Sequence, residues 1–161
     1  MADQPETRWY AIVDTAQDDR LYDYVECCAE YQCLISGDVP RELATALPYL
    51  VHLGEGEPLT EAWRREGLGK NWGIAFESWA SIDDLRIQFK KFLNAKLPDG
   101  AVVMFRFYDP RVFRTYILSA ADEERAAWFQ LTARYSIERE NPQGFHGFHI
   151  ENGCLFDDSR T

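Results

Sequence analysis

Short apolar runs, each closed by a turn signal and followed by a stretch of helical period, recur down this chain and leave few folds open to it. The runs are Trp9–Val13 (WYAIV), Gln32–Ile35, Tyr49–Leu53 (YLVHL), Trp72–Glu77 (WGIAFE) and Val102–Tyr108 (VVMFRFY). Their length and lack of alternation suit strands buried on both faces. Between them, Leu21, Tyr24, Val25 and Cys28 fall at i, i+3, i+4 and i+7 within a helix expected over 18–30. Pro40 opens a short helix to about Leu47, and another covers Leu59 to Glu66. Ser81-Ile82-Asp83-Asp84 is a capping signature for a helix carrying Ile82, Leu85, Phe89, Phe92 and Leu93. Asp109-Pro110 reads as an N-cap and first helical residue, and a further helix is expected over 122–133. The tail alternates and turns at Asn152-Gly153, a hairpin signal.

Strand and helix in alternation predict an α/β fold: a mixed, largely parallel sheet of about four strands flanked by helices, with a helical and β-hairpin C-terminal lobe. Residues 1–8 are expected to be disordered, 9–118 to form the α/β lobe, and 119–161 to pack a helix and hairpin on the same domain. A chain of 161 residues with 46% hydrophobic side chains buries enough surface to fold without metal or disulfide. Cys27, Cys28, Cys33 and Cys154 contain no CxxC, so they are read as reduced, Cys28 on the apolar side of its helix. No apolar run approaches the ~20 residues of a membrane span. The opening MADQPETRWY lacks the basic and apolar regions of a signal peptide, so a soluble cytoplasmic protein with no membrane partner is expected.

Charge excludes more than it assigns. The net charge is −10, which argues against nucleic acid as a partner, since phosphate binding needs a basic footprint. The distribution is uneven. Residues 1–81 hold 6 basic and 15 acidic side chains, whereas 85–118 hold 7 basic and 2 acidic. This basic island suggests a docking patch for an acidic protein surface, with Arg86, Lys90, Lys91, Arg111 and Arg114 as its contact residues.

Catalytic patterns are weak throughout. Asp14 closes the first strand, where α/β enzymes keep a nucleophile or metal ligand. Val13-Asp14-Thr15-Ala16 supplies no second carboxylate two residues on, and Asp18 and Asp19 are accounted for by the helix start. Gly67-Leu68-Gly69-Lys70 lacks the spacing of a phosphate loop and precedes a strand. His146 and His149, three apart in an extended segment, face opposite ways. No metal, cofactor or catalytic set is expected, and the chain is read as no enzyme. The most distinctive string is Phe105-Arg106-Phe107-Tyr108-Asp109-Pro110-Arg111-Val112. Within an apolar strand, Arg106 would be desolvated and would need a carboxylate, Asp14 or Asp109 being the nearest by topology. Asp14, Arg106, Tyr108, Asp109 and Pro110 are therefore expected to form a structural polar cluster.

The ordered strings YAIVDTAQDDRLYDYVE, PYLVHL, NWGIAFES, LRIQFKKFLNAKLPDG and FRFYDPRVFRTYI closely resemble the bacterial type VI secretion effector chaperones, or adaptors, whose domain was long catalogued as one of unknown function. The likeness runs from Trp9 to Phe129 and excludes the cysteine cluster. It implies a cytoplasmic, non-enzymatic protein that binds a toxin effector and promotes its loading onto the valine-glycine-repeat spike, VgrG, or an associated tip protein. The irregular 54–71 stretch and the tail would then supply partner-specific contacts. Two other readings remain open at this point: a small metal-dependent phosphohydrolase using Asp14 and Asp18, and a toxin-neutralising immunity protein.

Overall fold

The computed structural model describes residue 3, residues 5–140 and residues 143–158. Its centre is a seven-stranded sheet built from β1 (Arg8–Asp14), β2 (Tyr31–Cys33), β3 (Pro48–His52), β4 (Gly73–Ser78), β7 (Arg134–Arg139), β8 (Gly144–Glu151) and β9 (Cys154–Asp158). The strand order is β2-β3-β1-β4-β7-β8-β9. A separate two-stranded sheet pairs β5 (Asn94–Lys96) with β6 (Val102–Met104). The helices are α1 (Leu21–Glu26), α2 (Arg41–Ala44), α3 (Pro58–Glu66), α4 (Ile82–Lys90), α5 (Pro110–Ser119) and α6 (Asp122–Trp128), with a 3₁₀ turn at Thr15–Gln17.

Every pairing in both sheets is antiparallel. The expected largely parallel sheet of about four strands is therefore wrong in direction and in size. The size differs because β7, β8 and β9 join the main sheet, and the error in direction has one source. The β3–α3–β4 crossover does join two strands running the same way, but β1 is wedged between them and pairs antiparallel with both. An alternating strand–helix sequence cannot reveal that an earlier strand has taken the middle place, as in split β-α-β units. The second correction concerns VVMFRFY. Only Val102–Met104 is strand, it lies in the small hairpin, and the chain leaves extended pairing before Arg106.

β1 is buried on both faces, as its unbroken apolar run requires. Tyr10 and Ile12 enter one core with Leu50, Ile74, Phe76, Tyr135, Ile137 and Phe148. The amphipathic faces of α4 and α5 close that core through Leu85, Phe89, Phe113 and Ile117, joined by Phe107 and Trp128. Phe92 stacks on Trp128 with ring centroids 3.9 Å apart. Ala11 and Val13 enter the opposite core with Tyr49, Val51 and Trp72, under Leu21 and Val25 of α1 and Leu59 and Ala62 of α3. Cys28 is buried in that second core. The turn at Asn152-Gly153, with both residues at positive φ, joins β8 to β9 as the sequence indicates. Those strands extend the main sheet through β7 and β4.

Of the amino-terminal stretch expected to be disordered, residues 1, 2 and 4 lie outside the described residues. Thr7 Oγ1 donates to Glu77, and Arg8 is the first residue of β1. Among the described residues no helix is long and apolar enough to cross a membrane.

Candidate partner-binding site

On the α1/α3 face, the helices cover only part of the sheet. Beyond α3 the strands β4, β7 and β8 present small residues, Ala75 and Ser136, before the ring of Phe145. This leaves an open groove of 340 Å³, lined also by Trp9 of β1, by Leu53, and by Thr60 and Trp63 of α3. The volume lies at the lower end of the range for ligand pockets, about 300–1,000 Å³. Trp9 remains 38% exposed, a large apolar surface left to solvent. Thr60 Oγ1 is buried in the wall with no hydrogen-bond partner among the described residues. At the rim, Arg64 bonds Glu55 at 3.0 Å. The cleft is thus aromatic, with a buried unpartnered hydroxyl in its wall and a charged rim.

None of these groove residues stands out in the sequence. Trp63 follows Leu59 by four positions and reads as core, and Trp9 reads as the start of a buried strand. Positions 9, 53, 63 and 145 meet only because the sheet order sets β1 beside β4, and β7 between β4 and β8.

The distinctive FRFYDPR string forms a junction on the opposite side of the sheet. Arg106 Nη2 donates to Asp14 Oδ2 at 2.6 Å, so of the two carboxylates the sequence left open Asp14 is the partner. The desolvated member is Asp14, whose side chain is 3% exposed, whereas Arg106 is 52% exposed. The expectation of a desolvated arginine is thus inverted, because the chain turns out of the strand before reaching it. Asp14 also accepts from Ala16 N at 3.1 Å and from Gln17 Nε2 at 3.1 Å, so its carboxylate is committed to tying β1 to the next turn and to Arg106. Tyr108 is buried, with the Arg106 guanidinium 5.8 Å from its ring centre, and burial raises its phenol pKa. Asp109 caps α5 through Arg111 N at 2.9 Å, and Pro110 takes the first helical position. Burial pushes the Asp109 carboxyl up, but the Arg111 bonds outweigh it and hold the pKa below the ordinary aspartate value.

The basic island divides between two helices. Arg86 donates to Cys33 O at 2.9 Å and Lys90 bonds the Ser36 hydroxyl, so both fasten α4 to β2 and the loop after it. Arg111 pairs with Asp109 at 2.8 Å, and Arg114 donates to Glu138 O at 2.6 Å. Lys91, at the end of α4, is exposed and lines a cavity with Phe92, Phe105, Tyr116 and Trp128.

The glycine-rich 67–71 loop spends its amides internally. Glu138 is buried, and its Oε2 accepts from Asn71 N at 3.2 Å. Burial raises the Glu138 pKa, against the pull of the Asn71, Gly69 and Lys70 amides. His146 Nδ1 lies 3.3 Å from Asp157, and His149 stacks on Phe156. Among the described residues no group of three metal-ligating side chains comes together.

A family model described as "Domain of unknown function (DUF4123)" matches residues 9–127. The chain belongs to this family. No curated protein and no solved structure matches the chain. The DUF4123 span holds the whole Asp14–Arg106 junction and one wall of the groove, Trp9, Leu53, Thr60 and Trp63. The other wall, Ser136 and Phe145, lies beyond it. The cleft is thus framed by a family element on one side and the chain's own C-terminal strands on the other.

Proposed function

We propose that this DUF4123 protein is a cytoplasmic chaperone, or adaptor, that holds a type VI secretion toxin effector and promotes its loading onto the VgrG spike. The sequence resemblance supplies the biological setting. The observation that carries the reading is the open aromatic groove, to which the irregular 54–71 stretch gives Thr60 and Trp63 and the tail gives Ser136 and Phe145, beside Trp9, Leu53 and Ala75 of the scaffold. Those two segments are the ones suited to partner-specific contacts. An adaptor needs a surface that is apolar enough to grip a polypeptide and open enough to release it. A cleft of exposed tryptophan and half-buried phenylalanine meets both demands. In this reading the chain binds without doing chemistry, and the Asp14–Arg106 junction keeps the scaffold rigid.

The test is co-expression with the products of the adjacent toxin and spike genes, followed by co-purification. The toxin product should co-purify with the wild type. Trp63→Ala should lower recovery by about tenfold or more, as loss of a hot-spot aromatic does. The toxin's own activity should be undiminished in the complex. Failure of both products to co-purify, or a toxin inhibited by the chain, contradicts the proposal. Reversal of charge at Lys91, which is exposed and leaves the Lys90 bond to Ser36 in place, tests the basic island separately: weaker capture at low salt with an unchanged melting temperature assigns it to docking, and unchanged capture removes it.

A further inference from the structure

Strand β6 of the small sheet is exposed along its whole length. Val102, Val103 and Met104 of β6 are 65%, 40% and 50% exposed, so both faces of an apolar strand meet solvent. Its pairing with β5 fixes which backbone groups are spent. Phe105 N donates to Leu93 O, and Leu97 N donates to Ala101 O. Hydrogen-bonded pairs alternate in an antiparallel ladder, so Val103 opposite Ala95 is the bonded pair between them. Val102 and Met104 consequently turn their N–H and C=O groups away from β5. Those groups have no backbone partner among the described residues. An apolar strand with a free edge is a template for another strand, and proteins blunt such edges by keeping the strand short, as β6 is at three residues, or with charge or proline inside it. Here the strand itself carries neither.

The surroundings say what would pair with it. In a chain of net charge −10, residues 91–111 hold Lys91, Lys96, Arg106 and Arg111 against Asp99 and Asp109. Arg111 and Asp109 pair with each other, Arg106 pairs with Asp14, and Asp99 accepts the Ala101 amide, so the cations left over are the two lysines. Lys91 and Lys96 are exposed and have no ion-pair partner among the described residues. Directly after β6, Phe105 and Tyr116 line two adjoining open cavities, of 170 Å³ with Lys91 and of 450 Å³ with Val112. A second copy of the chain would bring the same cations against themselves, which argues against self-pairing.

We infer that the free edge of β6 receives an extended, acidic segment of a partner polypeptide by strand addition, with the Val102 and Met104 backbone supplying hydrogen bonds and Lys91 and Lys96 selecting its charge. The inference rests on the adaptor reading for the nature of the occupant, but it concerns a surface separate from the groove.

The probe is a short fluorescein-labelled peptide alternating valine or threonine with glutamate, compared with the same peptide carrying lysine for glutamate. The acidic peptide should bind, more weakly as salt rises, and should slow amide exchange at Val102 and Met104. Met104→Pro removes an outward N–H and leaves the β5 ladder whole, since edge strands tolerate proline there. It should weaken binding by about tenfold, the loss of one backbone hydrogen bond, with an unchanged melting temperature. Lys91→Glu with Lys96→Glu keeps the backbone and should transfer preference to the lysine peptide, so the inference stays testable even where the proline variant folds poorly. Equal binding of both peptides overturns it, as does exchange unchanged at β6 or a dimer that Met104→Pro dissolves. Peptide binding without co-purification of the adjacent gene products would sink the adaptor reading alone. Co-purification with no peptide binding would sink this inference alone.

Discussion

Asp14 shows how much one buried carboxylate organises. It ends the central strand, accepts from the following turn, and draws Arg106 in from 92 positions away. Arg106→Ala would leave that carboxylate buried without its cation, at a cost of about 1–3 kcal/mol. The melting temperature should fall by about 2–4 °C for each kcal/mol, measured by calorimetry, while partner capture persists. A stable variant that no longer captures its partner would move Arg106 from scaffold to interface. Asp109 adds a pH dependence. Burial pushes its folded pKa up and the Arg111 bonds pull it below the ordinary value by more, so its contribution is present above about pH 4 and is lost as pH falls through the folded pKa. Acid melting curves of Asp109→Asn, which keeps a capping oxygen, should fall less steeply below that pH than those of the wild type. That Arg106 would need a carboxylate was legible in the sequence, which left Asp14 and Asp109 both open; the structure selects Asp14. Which member of the Asp14–Arg106 pair would be buried was not legible, since that depends on where the chain leaves the strand.

Elements were easier to read than their pairing. Capping at Ser81 and Asp109, the proline after Asp109 and the Asn152-Gly153 turn all act locally, and each stands where the sequence puts it. Strand direction is a long-range property. β1 passes between β3 and β4, and the fit is tight enough that Gly73 has no room for a side chain: an added Cβ would overlap the Ile12 carbonyl oxygen. Gly73→Ala should therefore destabilise by about 1–3 kcal/mol by forcing the two backbones apart. Denaturant midpoints for Gly73→Ala and for Gly100→Ala, an open turn position with only its positive φ to lose, would separate the effects. A smaller loss at position 73 than at 100 would mean that β1 and β4 are less closely packed than described.

At the scale of the whole molecule, one curtain of strands separates two unequal helical layers, and the thinner layer leaves the groove. That asymmetry could not be read from composition or periodicity, because Trp9, Leu53 with Trp63, and Phe145 come from three distant stretches. Charge was readable as an amount and a location, yet most of the basic island proves to be engaged with neighbouring groups: Arg86, Lys90, Arg111 and Arg114 each have an internal partner. A docking account based on charge alone would have overweighted these four and missed the aromatic cleft. Long-range attraction from the exposed lysines would set encounter rate, and the cleft would set how long the partner stays.

Hydrogen–deuterium exchange on the chain alone and in complex with the co-expressed toxin product tests the groove account most directly. The account predicts slowed exchange along α3 and at β7 and β8 around Ser136 and Phe145, lost in Trp63→Ala. Protection confined to other surfaces, with that cleft exchanging as freely in the complex as in the free chain, would contradict it.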